Sequence, residues 1–193
     1  MLKTHTDLLN YIAEKIKATS YLEIGVMNTA NNFDKINVQD KIGVDPNVQN
    51  SKILPLTSDA FFRLSSKHFK LALIDGLHHD DQVKRDIINT WFALKPGGVM
   101  LIHDCNPDRE EITITPRQTK IWTGNVYRTV CQIVSPPKFT IDVDYGCCIL
   151  RNNDDRLLFN DREVSWEDFD KNRKQLLNLV TLEEGLKIID SWI

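Results

Sequence analysis

Four ionisable side chains follow one another where an apolar run ends, in the stretch LALIDGLHHDDQVKRDI over residues 71–87. Asp75 closes the run, His78 and His79 stand in the turn, Asp80 and Asp81 follow them, and a helical pattern begins at once. Imidazoles titrate near neutral pH and can take a proton from a hydroxyl group, whereas carboxylates beside imidazoles can hold a divalent cation. The stretch is therefore a solvated helix cap, a metal site or one wall of an active site.

Acids stand at or near the ends of further apolar runs. The residues concerned are Glu23 with Gly25, Asp45, Asp75 with Gly76, and His103 with Asp104. One such acid alone is most often a turn or cap residue. Several of them at corresponding places favour a binding site, because ligands of open α/β sheets lie beyond the carboxyl ends of the strands.

These runs alternate with helical patterns along the chain. Strands are predicted at 21–25, 41–45, 52–56, 70–76 and 99–104, and helices at 6–17, 57–66, 80–94 and 125–135. The segments KFTIDVD and GCCILR predict a closing hairpin. We therefore expect an α/β, Rossmann-like, doubly wound fold with a mostly parallel seven-stranded sheet and an antiparallel edge strand.

The length suits a single domain over residues 1–193. Residues 1–150 would form its core, and residues 151–193 a helical C-terminal extension with a helical pattern over 166–190. At the other end, Thr6 is the predicted N-cap of the first helix.

Composition narrows the class of protein. The net charge of −3 is spread along the chain without a basic stripe, which argues against a nucleic-acid partner. The apolar runs are short, and the N-terminal residues lack the apolar core of a secretory signal, so we expect no membrane partner. The four cysteines show no metal or disulfide spacing, which favours reduced thiols and a cytoplasmic protein. The oligomeric state stays open, with a homodimer as one option.

The spacing of Gly25 and Asp45 indicates a nucleoside cofactor. Asp45 follows Gly25 by 20 residues, where a carboxylate can accept hydrogen bonds from ribose hydroxyls. The loop EIGVMNTANNF has one glycine and lacks the GxGxxG phosphate cradle, which counts against NAD and FAD. S-adenosylmethionine, which has no phosphate, fits better.

The order of these motifs resembles that of the class I S-adenosylmethionine-dependent methyltransferases. The resemblance is closest to a group of small bacterial methyltransferases related to macrocin O-methyltransferase and cephalosporin hydroxylase, often associated with surface-glycan and secondary-metabolite clusters. It spans about residues 20–150, and the motifs that carry it are YLEIGVMNTANNFDKI, KIGVDP, TSDAFF, IDGLHHDDQVKRDI, LKPGGVMLIHDCNP, WTGNVYRT and DVDYGC.

The resemblance implies a set of cofactor contacts. The methionine end of S-adenosylmethionine would lie against Glu23, Gly25, Met27 and Asn28. Asp45 would hold the ribose. The adenine edge would meet Ser58 and Asp59, and the reaction centre Asp75.

The resemblance also implies a metal in some relatives. In metal-dependent relatives, acids at the places of Asp75 and Asp104 bind a divalent cation, here Mg²⁺ or Mn²⁺. Those relatives often carry two adjacent acids after the fifth strand, whereas this chain has His103 before Asp104.

The sequence thus predicts O-methylation of a sugar or other small hydroxylated acceptor. His78, His79 and His103 are the candidate general bases, beside Asp75. A nucleoside-cofactor-binding protein without turnover and an NAD-dependent oxidoreductase are the alternatives.

Two aromatic residues and one cysteine pair carry further expectations. Trp122 and Tyr127 form an acceptor lid or pack beneath the loop over 105–124. Cys147 and Cys148 alternate across a strand, so one should be buried and the other exposed.

Overall fold

The computed structural model describes residues 2–192. Its helices are α1 (His5–Lys15), α2 (Ser58–Leu64), α3 (Asp80–Ala93), α4 (Val126–Gln132), α5 (Trp166–Leu176) and α6 (Leu182–Asp190). Its strands are β1 (Ser20–Ile24), β2 (Asp40–Val44), β3 (Ile53–Leu54), β4 (Phe69–Ile74), β5 (Leu94–Ile102), β6 (Ile133–Ser135), β7 (Lys138–Ile141), β8 (Cys147–Arg151), β9 (Leu158–Phe159) and β10 (Leu179–Val180). Single 3₁₀ turns lie at Phe33–Lys35 and Glu110–Ile112.

The main sheet has eight strands in the order β10-β7-β8-β5-β4-β1-β2-β3. Strand β8 runs antiparallel to both β5 and β7, and the other neighbouring strands pair in parallel. The predicted α/β class with a mostly parallel sheet and one antiparallel strand is confirmed. The count is eight because β10 adds a strand beyond β7. The antiparallel strand β8 lies between β5 and β7, and is therefore inside the sheet rather than at its edge.

Helices cover both faces of the sheet, as parallel strands require. The first face packs against α1 and α6, which bury Leu8, Leu9, Ile12 and Ile189. The second face packs against α2, α3, α4 and α5, with Phe61, Ile87, Tyr127 and Phe169 in its core.

The interior position of β8 explains the cysteine pair. Cys147 and Cys148 are both fully buried, so the expectation that one would be exposed is wrong. Alternate side chains of a strand point to opposite faces, and here helices cover both of them.

Helix α1 begins earlier than predicted, at His5 rather than Thr6. Thr4 is its N-cap: its side chain accepts from the Asp7 amide, and the Asp7 side chain accepts from the Thr4 amide. This capping box satisfies two otherwise free backbone donors. It also places His5 at the first helical position.

The C-terminal residues are not continuously helical. Helix α5 ends before Asn178, whose φ of 47° is left-handed, and α6 restarts after a second capping box at Thr181 and Glu184. Between the two helices, β10 pairs in parallel with β7 of the main sheet. Upstream, β9 pairs with β6 in a separate two-stranded sheet.

The central strands end on one level. The Gly25 amide donates to the Val44 carbonyl at 2.9 Å, and the Asp75 amide donates to the Ile24 carbonyl at 2.9 Å. The ladder continues to the next strand, where the His103 amide donates to the Ile74 carbonyl at 3.1 Å. The strand-end residues therefore share the carboxyl edge of the sheet.

Gly25 lies against this edge for a steric reason. Its φ is +87°, and a Cβ built there would lie 2.1 Å from the Asp75 carbonyl oxygen. The glycine thus permits close approach of the neighbouring strand end, in addition to the cofactor contact that the resemblance implies for it.

Within residues 2–192, no helix combines the length and apolar character that a membrane span needs.

We predict that Gly25→Ala destabilises the fold more than Gly97→Ala does. Both glycines have positive φ, but a Cβ at Gly97 would meet the flexible ends of Lys70, at 3.1 Å, and Arg151, at 3.9 Å. Left-handed strain alone costs about 1–2 kcal/mol, and the backbone clash at Gly25 should bring the total to about 2–5 kcal/mol. Urea unfolding of both variants measures the difference, and equal losses would contradict the steric role of Gly25.

Candidate active site

Six titratable side chains meet at the carboxyl edge of the sheet. We call them the edge cluster: His5, Asp75, His78, His103, Asp104 and Asp144. Four of them were predicted from the sequence as catalytic or metal-binding residues, and the structure brings those four together.

The first part of the edge cluster is the triad Asp75, His78 and Asp104. His78 Nε2 lies 3.2 Å from Asp75 Oδ1, and His78 Nδ1 lies 3.4 Å from Asp104 Oδ2. One ligand atom from each residue lies within 4.8 Å of the others, which is compatible with a shared cation. The Nδ1 atom of His78 is buried and has no hydrogen-bond partner of good geometry.

The second part is the triad His5, His103 and Asp144. His103 Nε2 lies 3.5 Å from Asp144 Oδ2, which also accepts a hydrogen bond of 3.1 Å from the His5 amide. His5 Nδ1 lies 2.6 Å from the same oxygen. The opposite nitrogen of His103, Nδ1, lies 3.2 Å from Asp75 Oδ1, so His103 joins the two triads.

The antiparallel pairing of β5 with β8 brings Asp144 to this edge. Ile102 pairs with Cys148, so the turn before β8 lies beside the turn that follows β5. The Cys105 amide donates to the Gly146 carbonyl at 3.2 Å, which ties the two turns together.

Four non-glycine residues at the edge have left-handed backbones: Met27 with φ of 46°, Asp104 with φ of 60°, Asp144 with φ of 51° and Tyr145 with φ of 60°. Such conformations are costly and often accompany functional sites. At Asp104 and Asp144 they turn the chain immediately beside His103.

Opposite charges set the protonation of the edge cluster. Burial alone would raise the pKa of Asp75, but His103 and His78 outweigh it and hold that pKa well below its usual value. Burial disfavours charged imidazoles, yet Asp75 and Asp144 raise the pKa of His103 well above 6.5. The pKa of His78 is also raised, because Asp75 and Asp104 outweigh its burial.

Asp104 behaves differently from Asp75. Burial raises its pKa to about 6, a rise that His103 opposes and the negative charge of Asp75 reinforces. The two acids therefore differ in how readily they ionise, which is common for carboxyl groups that act together in a site.

The end of the long loop holds His78. The Trp122 ring stacks on the imidazole with ring centroids 5.3 Å apart and an interplanar angle of 20°. The Asn125 amide donates to the His78 carbonyl at 3.0 Å. Tyr127, by contrast, is fully buried and packs against Phe169. Of the two aromatic residues, only Trp122 contacts the edge cluster.

His79 does not join the edge cluster. It is the N-cap residue of α3 and meets the edge of the Trp122 ring, with centroids 6.1 Å apart. The turn before α3 directs the two adjacent histidines differently, and only His78 reaches the acids.

Glu23 is a buried side chain with internal partners. It is 1% exposed, and its carboxylate accepts hydrogen bonds of 2.7 Å from the Tyr21 hydroxyl and 2.7 Å from the Asn32 amide group. Burial raises its pKa to about 7, although those two donors oppose the shift. In this structure, the Glu23 carboxylate links the end of β1 to Asn32 in the loop that follows it.

Asp45 fixes the loop that follows β1. Its Oδ2 accepts from the Met27 amide at 2.9 Å, and its Oδ1 accepts from the Asn47 amide at 2.8 Å. Met27 is 74% exposed and Asn28 is also exposed, so both are open to a ligand. Each carboxylate oxygen of Asp45 keeps a second lone pair for ribose hydroxyls.

Ser58 and Asp59 lie at the start of α2, where they face α3. The Gln82 side-chain amide donates to Ser58 Oγ at 3.1 Å and to Asp86 Oδ1 at 2.9 Å, and lies 3.4 Å from Asp59 Oδ1. This polar group lies beside the strand end: a Cβ at Gly76 would be 3.8 Å from Asp86 Oδ2.

Sequence reasoning missed two members of the edge cluster, His5 and Asp144. Asp144 lies in the DVDYG segment, and the hairpin prediction could have placed its turn beside the end of β5. His5 carries no comparable signal, because a single histidine in a first helical turn is unremarkable in sequence.

We predict that Glu23→Gln reduces the loss of stability at alkaline pH. Folded Glu23 keeps its proton up to about pH 7, whereas in the unfolded chain it releases it near 4.5. Stability therefore falls as pH rises between these values, by up to about 3 kcal/mol. Glutamine cannot ionise, so this contribution to the pH dependence is absent from the variant. The loss of unfolding free energy between pH 5 and pH 8 should therefore be smaller in the variant than in the wild type.

Urea unfolding at the two pH values measures this effect. Glu14→Gln, at an exposed position of α1, is the matched control and should keep the wild-type dependence. A Glu23→Gln variant with the wild-type dependence would show that burial does not perturb this carboxyl group.

A family model described as a methyltransferase domain matches residues 20–105. The matched segment contains the strand ends that carry Gly25, Asp45, Asp75 and His103. No curated protein matches the chain.

Solved methyltransferase structures share the fold at low identity. A Staphylococcus aureus protein, provisionally described as a caffeoyl-CoA O-methyltransferase, has a TM-score of 0.54 at 13% identity, over 76% of this chain and 82% of its own. An O-methyltransferase from Bacillus cereus, in complex with SAH, has a TM-score of 0.53 at 12% identity, over 76% and 80%. The N-methyltransferase NodS from Bradyrhizobium japonicum WM9, bound to S-adenosyl-L-homocysteine, has a TM-score of 0.50 at 16% identity, over 77% and 85%. The likeness to these structures shows the fold, and the family model describes residues 20–105 as a methyltransferase domain.

Proposed function

We propose that the chain transfers a methyl group from S-adenosylmethionine to a hydroxyl of a sugar or other small acceptor. The observation that carries the proposal is the convergence of Asp75, His78 and Asp104 at the carboxyl edge, beside the loop that Asp45 holds. In open α/β sheets this edge, at the point where strand order reverses, is where ligands bind. The order reverses between β1 and β4, directly beside Gly25 and Asp75.

The cofactor assignment rests on chemistry at that edge. A nucleoside without phosphates needs an acceptor for its ribose hydroxyls and no glycine-rich cradle. Asp45 supplies the acceptor, and Met27 and Asn28 are exposed in the loop that follows β1. The names of the B. cereus and NodS structures report the demethylated cofactor bound to those proteins.

Methyl transfer from a sulfonium requires mainly positioning and removal of the acceptor proton. We assign His78 as the general base that accepts the hydroxyl proton of the acceptor, because Asp75 holds its imidazole on one side and the Trp122 ring stacks on its face. Asp75 orients the ring and stabilises its charged form after proton transfer, as acids paired with histidine bases do.

Metal assistance is a further part of the proposal. Asp75 and Asp104 offer the hard oxygen ligands that Mg²⁺ and Mn²⁺ prefer, whereas the unpartnered Nδ1 of His78 is kept for the acceptor proton. The residues therefore fit a divalent cation. When bound, such a cation would lower the pKa of an acceptor hydroxyl.

We predict that S-adenosylhomocysteine binds and NAD does not. Isothermal titration calorimetry with both compounds tests the cofactor class, and binding of NAD alone would overturn it.

We expect Asp45→Ala to weaken the binding of S-adenosylhomocysteine by about 10- to 100-fold, which corresponds to the loss of a hydrogen bond to a charged group. Asp40→Ala, at the opposite end of β2, is the matched control and should bind as the wild type does. Equal affinity in all three proteins would refute the ribose assignment.

We also predict that the two adjacent histidines differ in activity. His78→Gln should lower the rate of S-adenosylhomocysteine release by about 10²- to 10⁴-fold, the usual contribution of a general base. His79→Gln should retain activity within a few-fold, because His79 lies outside the edge cluster. The assay uses a panel of sugar and phenolic acceptors. If the protein binds the cofactor but produces no S-adenosylhomocysteine with any acceptor, the result would favour a binding protein without turnover.

A further inference from the structure

We propose that His5, His103 and Asp144 form a second metal site, which takes a divalent transition ion such as zinc. It shares no ligand with the triad of Asp75, His78 and Asp104, although His103 contacts Asp75. The inference does not depend on methyl transfer.

The geometry of the three side chains is the first argument. One ligand atom from each of His5, His103 and Asp144 lies within 4.8 Å of the others. The imidazole centroids of His5 and His103 are 4.3 Å apart. A nitrogen of each ring lies near the same carboxylate oxygen, Asp144 Oδ2, at 2.6 Å from His5 and 3.5 Å from His103. An ion between them would replace the proton that His5 and Asp144 now share, since metal binding displaces protons from its ligands.

A buried nitrogen without a partner is the second, independent argument. His103 is 8% exposed, and its Nε2 makes no hydrogen bond of good geometry, although it points toward Asp144. An unsatisfied buried polar atom costs free energy and calls for a partner. A metal ion bound at Nε2 supplies one.

The opposite nitrogen of His103 fits the same assignment. Its Nδ1 lies 3.2 Å from Asp75 Oδ1, so Nδ1–H can donate to that carboxylate and leave the Nε2 lone pair free. Histidine ligands of metals usually donate their other ring nitrogen to a carboxylate in this way. Asp75 would therefore select the tautomer that the ion needs.

The donor set indicates which ion. Two imidazoles and one carboxylate favour zinc and other transition ions over Mg²⁺ or Ca²⁺, which prefer oxygen ligands alone. Three protein ligands leave a coordination position free for water or another small ligand. The ion would also join the start of α1, the end of β5 and the turn before β8.

Titration with Co²⁺ tests this inference on the chelator-treated, tag-free chain. Cobalt replaces zinc in such sites and is visible by its absorption, and competition by Zn²⁺ gives the zinc affinity. His5→Gln and Asp144→Asn each should weaken this site by at least about tenfold, since even outer partners of ligands cost that much. Both substitutions keep a hydrogen-bonding group, and circular dichroism confirms that the variants are folded.

Two further variants separate the sites. Asp104→Asn removes a carboxylate of the other triad only and should leave Co²⁺ binding at His5 intact. His68→Gln removes an exposed histidine remote from the carboxyl edge and should match the wild type. The proposal is overturned if the wild type binds neither Co²⁺ nor Zn²⁺, or if His5→Gln binds both as tightly as the wild type. Because the readout is metal binding without cofactor, its failure leaves the methyltransferase proposal untouched.

Discussion

The hydrogen-bond ladder across β2, β1, β4 and β5 continues one residue beyond the strands and sets the geometry of the carboxyl edge. Gly25, Asp75 and His103 each donate a backbone N–H to the carbonyl of the neighbouring strand. Side chains on one level of adjacent strands are close enough to interact. The approach is closest between β1 and β4, where only a glycine fits beside the Asp75 carbonyl. The edge cluster depends on this alignment more than on any single ion pair.

Charge balance then keeps the edge cluster together. Three carboxyl groups and three imidazoles alternate in contact, from His78 through Asp75 and His103 to Asp144 and His5. Removing a single member would leave its buried neighbours with one charged partner fewer, which is costly in a low-dielectric site. The pKa shifts follow the same logic: Asp75 stays ionised because it lies between two imidazoles, whereas burial raises the pKa of Asp104.

The sequence predicted the strand ends well because their signals are local. Apolar runs that end in an acid or glycine locate the ends of β1, β2, β4 and β5, and parallel pairing brings those ends together. Contacts that arise from long-range docking were not predictable in the same way. The Asp144 turn reaches the edge only because β8 runs antiparallel beside β5, and His5 reaches it because the capping box at Thr4 starts α1 at His5. The interruption of the C-terminal helical pattern by β10 likewise depends on a partner strand, β7.

The end of the long loop contacts both the side chain and the backbone of His78, so the two contacts depend on the same segment. Trp122 covers the imidazole face, and the Asn125 amide binds the carbonyl of the same residue. A displacement of residues 122–125 would therefore free both the ring and the backbone of His78 at once. Any molecule that needs this loop to move before it can reach the edge cluster would find the histidine released from its support, and would itself have to take the place of the indole ring.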